Sequence, residues 1–290
     1  MEATFTFESD SSNGRVTVFV RRWPVTSARA LVQIAHGMGE HSGRYARLAH
    51  ALNAAGYSVY ASDHRGHGRT ARDADDLGNF GAAGWLGVVG DMQTLGKRID
   101  AESGGLPRVV LGHSMGSFAL QQLLLDESRT MAGAVLSGTS AVDALAGAVP
   151  ADDTPADLSQ FNVPFEPART PSDWLSRDDT EVDAYIADPL CGFGVSAAGL
   201  RSMAAEAPRA ADPEALRAIR SDLPLLMISG SADPLAGGLA LVELVAQRYR
   251  EAGLTAVTTK WYTDARHELF NETNRDEVTH DLIDWLATAV

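Results

Sequence analysis

Positions 4–8 alternate polar and aromatic residues, and Arg15-Val16-Thr17-Val18-Phe19-Val20-Arg21 follows as a second strand pattern after the turn-forming run Ser11-Ser12-Asn13-Gly14. Two strand patterns on either side of such a turn predict an N-terminal antiparallel hairpin, ended by Pro24. Beyond it the pattern changes. Short apolar runs without alternation recur at 31–35, 57–61, 109–111, 134–136 and 224–228. Runs of this kind suit strands covered on both faces, as in a parallel sheet. Residues 257–262 predict a last strand. Residues 44–55, 239–252 and 276–286 read as helices, the second stopped by Gly253. Strand alternating with helix predicts an α/β fold: a mostly parallel twisted sheet, helices on both faces and an antiparallel hairpin at the start.

One stretch breaks this rhythm. Residues 141–222 hold eight prolines and scattered aromatics, and no strand pattern. About 80 residues is too long for a structureless loop in a compact domain. Phe161, Phe165, Trp174, Leu175, Tyr185 and Phe193 give it apolar surface to bury, which argues against a disordered linker. The expected organisation is a core of residues 1–140 and 223–290, interrupted by an inserted, mainly helical lid, 141–222. The lid holds 15 acidic and 6 basic residues, a local charge of −9.

Charge narrows the partners. The chain's formal charge is −14, which disfavours nucleic acid and anionic lipid surfaces. No apolar run approaches the ~20 residues of a membrane helix, and the first residues have no basic or apolar signal-peptide region. A lone Cys191 allows no internal disulfide and no Cys-rich zinc site. The cytoplasm is the expected location, and no cofactor or metal is expected.

The most informative stretch is Arg108-Val109-Val110-Leu111-Gly112-His113-Ser114-Met115-Gly116-Ser117. It holds Gly-x-Ser-x-Gly between an apolar strand pattern and a helical run. A sharp strand-to-helix turn would expose the Ser114 hydroxyl as a nucleophile, with the glycines removing side chains that would clash. A serine hydroxyl needs a base, and the base needs an orienting acid. Of eight histidines, His267 stands just past the last predicted strand, and Asp233 just past the strand before it. The order Ser114, Asp233, His267 is the one such a fold uses. Asp264, three residues before His267, is the rival acid. For the developing oxyanion, the backbone N–H groups of Met115 and of Met38, within Gly37-Met38-Gly39, are the candidate donors. His36 is expected to be structural. His64 and His67 have metal-ligand spacing, but nothing nearby completes a set.

These residues together resemble the monoacylglycerol lipase and lysophospholipase group of α/β-hydrolases. The matching pieces are His36-Gly37-Met38-Gly39-Glu40-His41-Ser42-Gly43-Arg44-Tyr45, Asp63-His64-Arg65-Gly66-His67-Gly68, Gly112-His113-Ser114-Met115-Gly116-Ser117, Gly230-Ser231-Ala232-Asp233-Pro234 and His267-Glu268. The stretch Asp188-Pro189-Leu190-Cys191-Gly192-Phe193 is similar to that of bacterial members. Thr70 stands where the group usually has serine. The resemblance implies a lid over an ester pocket.

The expected activity is hydrolysis of neutral single-chain esters through an acyl-enzyme. Phe161, Phe165, Leu190 and Phe193 of the lid are the candidate acyl-chain contacts. An aminopeptidase of the same fold is the alternative. It would need lid carboxylates such as Glu166, Asp173, Asp178 and Asp179 to hold a substrate amine. A non-catalytic binding protein usually lacks a triad member, and here all three are present. An aspartate-nucleophile dehalogenase or epoxide hydrolase is disfavoured by Ser114 itself.

Overall fold

The computed structural model describes residues 2–9, 15–145 and 152–290, so the expected turn at 11–14 lies outside the described residues. Eight strands form one sheet: β1 (Ala3–Ser9), β2 (Val16–Trp23), β3 (Ala30–Ala35), β4 (Tyr57–Ser62), β5 (Arg108–His113), β6 (Gly133–Ser137), β7 (Leu225–Gly230) and β8 (Val257–Tyr262). Their spatial order is β1-β2-β4-β3-β5-β6-β7-β8. β1 pairs antiparallel with β2, and β2 with β4; every later pairing is parallel.

The apolar runs lack alternation because both faces of the sheet are covered. Val109 and Leu111 of β5 pack into a layer with Leu48 and Leu52 of α1 (Ala46–Ala54) and with Leu282 and Leu286 of α9 (Arg275–Ala289). Val110, between them in sequence, packs on the opposite layer. That layer holds Val88 and Met92 of α2 (Gly84–Glu102), Leu120 and Leu124 of α3 (Met115–Glu127), and Val242 of α8 (Ala240–Glu251). Successive side chains of a strand point to opposite faces, so a two-sided core needs apolar residues at every position.

α2 is a 19-residue helix that the sequence pattern did not reveal. Gly84, Gly87, Gly90 and Gly96 dilute its helical signature. Two of these glycines make room for buried guanidinium groups. A Cβ on Gly87 would lie 2.9 Å from Arg65 Nε, and one on Gly96 would lie 3.0 Å from Arg108 Cζ.

The connection from β6 to β7 carries α4 (Val142–Leu145), α5 (Asp179–Ala187), α6 (Ala197–Glu206) and α7 (Pro213–Leu216), and no strand among its described residues. Part of it is bound to the core helices. Trp85 N–H at the start of α2 donates to Ser202 Oγ of α6 at 3.0 Å, and Gln122 Nε2 of α3 donates to Glu206 O at 2.9 Å. Another part, including Leu158, Phe161 and the buried Trp174 and Tyr185, borders a cavity shared with the loops after β3, β5 and β8. Among the described residues no helix is long and apolar enough to cross a membrane.

Candidate active site

The loops that follow β3, β5, β7 and β8 converge at the carboxyl ends of the parallel strands, the usual ligand side of an open α/β sheet. They bring Met38, Ser114, Asp233 and His267 into one region. Ser114 stands between the end of β5 and the first residue of α3, with φ 51° and ψ −121°. Non-glycine residues rarely occupy this backbone region, and its cost is tolerated where the surroundings enforce it. Here the enforcement is steric. A Cβ on Gly112 would lie 2.5 Å from Gly116 O, and one on Gly116 would lie 2.2 Å from Ala35 O. The turn is tied down by Ser114 N–H donating to Ser137 O at 2.9 Å and by Ser117 N–H donating to Ser114 O at 2.8 Å.

His267 is 2% exposed, and its Nδ1 lies 2.8 Å from Asp233 Oδ2. The other oxygen, Asp233 Oδ1, accepts the Leu235 N–H at 2.9 Å. The carboxylate therefore caps the turn after β7 and also faces the imidazole. An acceptor at Nδ1 places the neutral ring's proton there and leaves the lone pair on Nε2. That Nε2 is buried and has no hydrogen-bond partner in the described structure. Burial pulls the His267 pKa down, but the Asp233 carboxylate, helped by Glu268 and Glu40, outweighs it and leaves the pKa above 6.5. Asp264, the rival acid, is exposed at φ 59°, with its N–H donating to Ser231 Oγ.

Ser114 and His267 line one cavity of about 270 Å³, together with Met38 and Met115. Most of its wall is apolar, including Phe118, Leu158, Phe161, Trp174, Leu200 and Leu235. Its polar lining residues include Glu40, His113, Asp157, Gln160, Tyr185 and Glu268. No lysine or arginine is among the lining residues described.

Of the four lid residues expected to contact an acyl chain, only Phe161 lines this cavity. The other three are not among its lining residues. Phe165 lies under the Arg266 guanidinium, 4.3 Å from Cζ to ring centroid. Phe193 packs on His67, with ring centroids 4.9 Å apart. Leu190 belongs to a turn built on Asp188, whose Oδ1 accepts the Leu190 N–H, and this turn is clasped to the loop after β3 through Gly192 N–H and Gly39 O at 2.9 Å. Sequence reasoning missed the residues that do line the wall. Trp174 and Leu175 stood out only as apolar, and Leu145, Leu200 and Met203 stand in short helices with no local sign of which face turns inward.

The carboxylates considered as amine anchors also lie away from the cavity. Asp173 accepts the Arg169 N–H and the Thr170 hydroxyl, Asp178 pairs with Arg275, and Asp179 with Arg169. Glu166 is exposed and accepts the Ala168 N–H at 3.1 Å.

Three further histidines, His36, His64 and His67, tie loops together. His36 Nε2 accepts the His64 N–H at 2.9 Å, and His36 Nδ1 faces Gly37 O at 2.8 Å. His67 Nδ1 faces Arg65 O, and its Nε2 accepts the Gly39 N–H. Burial lowers all three pKa values, His64 to about 3 and His67 to about 4, so they stay neutral at physiological pH. Thr70 keeps the bridging hydroxyl, accepting from Phe19 N–H and donating to Asp63 O. Among the described residues the one group of three metal-ligand side chains is His41, Asp188 and Cys191. His41 Nδ1 accepts the Gly43 N–H, so Nε2 carries the proton and donates it to Asp188 at 2.9 Å, which leaves no lone pair for a metal.

Comparison with known proteins agrees with this architecture. Residues 26–274 match the serine aminopeptidase S33 family. The chain is 36% identical over 286 residues to a monoacylglycerol lipase of Mycolicibacterium smegmatis, covering 95% of this chain and 94% of that one. It is 32% identical to the mouse monoglyceride lipase, covering 93% of this chain and 86% of that one. A thermostable carboxyl esterase of Bacillus coagulans, solved in complex with glycerol, superposes with a TM-score of 0.88 at 28% identity, covering 99% of both chains.

Proposed function

The chain belongs to the serine aminopeptidase S33 family of α/β-hydrolases and is an ester hydrolase of the carboxylesterase and monoacylglycerol lipase kind; from that premise we propose that it cleaves neutral, single-chain carboxylic esters through an acyl-enzyme on Ser114. The observation that carries this reading is one apolar cavity holding both the strained Ser114 and the Nε2 side of an imidazole whose Nδ1 is held by buried Asp233. Ser114 Oγ attacks the ester carbonyl carbon as His267 Nε2 takes its proton. The carbonyl oxygen becomes an oxyanion that accepts from the Met38 and Met115 N–H groups. Collapse expels the alcohol, which takes the proton from His267. Water then attacks the acyl-enzyme with His267 again as base, releasing the acid and restoring Ser114.

Cavity size and charge support the substrate class. About 270 Å³ lies just below the ~300–1,000 Å³ typical of ligand pockets, which suits one chain rather than the three of a triacylglycerol. With acidic groups and neither lysine nor arginine on the described wall, a substrate carboxylate or phosphate is disfavoured. Each CH₂ added to the acyl chain should raise kcat/KM by roughly fourfold at best until the cavity is full, from ~0.8 kcal/mol per methylene. Side-by-side kcat/KM on matched neutral esters, an anionic ester of equal length and an aminoacyl amide is the test. Faster turnover of the amide would move the assignment to an aminopeptidase.

The base must be neutral to act, so kcat/KM should rise with pH through one ionisation. Its midpoint should lie above the unperturbed histidine value of ~6.5, because the carboxylates around His267 favour its protonated form. A profile flat from pH 5 to 9 would rule out this base.

A further inference from the structure

Three buried ionic groups connect the oxyanion loop to the residue after His267. Glu40 is 3% exposed. Its Oε1 accepts the Gly37 N–H at 2.6 Å and the Tyr45 hydroxyl at 2.8 Å. Its Oε2 accepts from Arg44 Nη1 at 2.9 Å. The same guanidinium donates to both oxygens of Glu268, Nη2 to Oε2 at 2.7 Å. Glu268 follows His267 directly, and two further bonds hold it: its N–H donates to Leu175 O at 2.7 Å, and Asn271 Nδ2 donates to Oε2 at 2.9 Å. The Arg44 guanidinium also lies over the Tyr185 ring of α5, 4.9 Å from its centroid.

Stability alone does not account for such a chain. Burying two carboxylates against one guanidinium leaves a net −1 inside the protein, and buried ion pairs are often no more stabilising than apolar side chains of the same volume. Its two ends are more telling. One is Gly37, which approaches Ser114 so closely that a Cβ there would lie 3.1 Å from Ser114 Cβ, and whose next residue carries the Met38 N–H. The other is the peptide that joins Glu268 to His267. The two loops are far apart in sequence, with Arg44 and Glu268 separated by 224 positions, and this chain of charge-assisted bonds spans them.

We propose that Glu40, Arg44 and Glu268 form a positioning strut that fixes the oxyanion loop relative to the imidazole of His267. The proposal rests on the reading that Ser114, His267 and the Met38 and Met115 N–H groups carry ester hydrolysis. The strut acts through geometry. Glu40 holds the Gly37 turn and hence the direction of the Met38 N–H, and Glu268 holds the backbone on which His267 is mounted. Displacing such groups by about 1 Å is enough to cost on the order of 10²-fold in rate.

The test uses Glu40→Gln and Glu268→Gln, which keep shape but set an NH₂ group against the Arg44 donors. Steady-state kcat and KM on a neutral short-chain p-nitrophenyl ester are measured beside Ser114→Ala. Each single variant should lose roughly 10- to 100-fold in kcat with KM within about threefold of the parent. The double variant should be scarcely slower than the worse single one, because both cut one strut. Tyr45→Phe, which removes one donor to Glu40 and leaves all three charges in place, should lose a few-fold in kcat, and it carries the test if either Gln variant fails to fold. Unchanged kcat in the folded variants, a rise in KM alone, or losses that multiply in the double variant would each overturn the strut. If Ser114→Ala is inactive while the strut variants match the parent, only the strut fails. If Ser114→Ala retains hydrolysis, the catalytic reading fails and the strut falls with it.

Discussion

Ser114→Ala is expected to abolish ester hydrolysis, with kcat falling by up to ~10⁶-fold, the scale seen when the nucleophile of a serine hydrolase is removed. The protein should remain folded. The change deletes a single oxygen, and the backbone bonds that hold the turn, from Ser114 N–H to Ser137 O and from Ser117 N–H to Ser114 O, do not involve the side chain. The loss should therefore appear in kcat with no comparable fall in melting temperature. A fluorophosphonate should label the parent protein and leave the variant unlabelled. Labelling of the variant, or hydrolysis within tenfold of the parent, would place the nucleophile elsewhere.

Asp233→Asn is expected to cost ~10⁴ in kcat, the precedent for an orienting carboxylate replaced by its amide. The reason is the tautomer. The Asp233 carboxylate accepts from Nδ1 and so keeps the Nε2 lone pair free to take the Ser114 proton. An amide NH₂ facing Nδ1 would donate to it and shift the ring proton to Nε2, which then cannot act as base. The amide oxygen can still cap the Leu235 N–H, so folding should survive. Asp264→Asn is the paired measurement, and it should leave kcat within about twofold, since an exposed side chain off the imidazole contributes little. A crippled Asp264→Asn beside an active Asp233→Asn would reverse the assignment of the acid.

Much of the fold was legible because its signals are local. Unalternating apolar runs follow from a sheet covered on both faces, as Val109, Val110 and Leu111 illustrate by packing in turn on opposite layers. The strand–turn–helix around Ser114 was legible because a turn this tight excludes side chains at Gly112 and Gly116, and the excluded side chains are written as glycine. α2 was not, because two of the glycines that dilute its pattern, Gly87 and Gly96, answer to Arg65 and Arg108, which arrive from another loop and another strand.

What the sequence by itself determined is the order of elements and the residue types that chemistry at their junctions requires: a serine after β5, an aspartate after β7 and a histidine after β8. Near-neighbour sterics and side-chain periodicity govern these features, and both act within a few residues. The tertiary structure alone decided which side chains of the β6–β7 connection face the cavity. Phe161 does, while Phe165, Leu190 and Phe193 are taken up by Arg266, the turn on Asp188 and His67. It alone brought Glu40 and Arg44 against Glu268, and it alone gave His36, His64 and His67 their hydrogen-bond partners. Those contacts depend on how the crossovers bring distant segments together, and an irregular segment without periodicity carries no local mark of which way its side chains will turn.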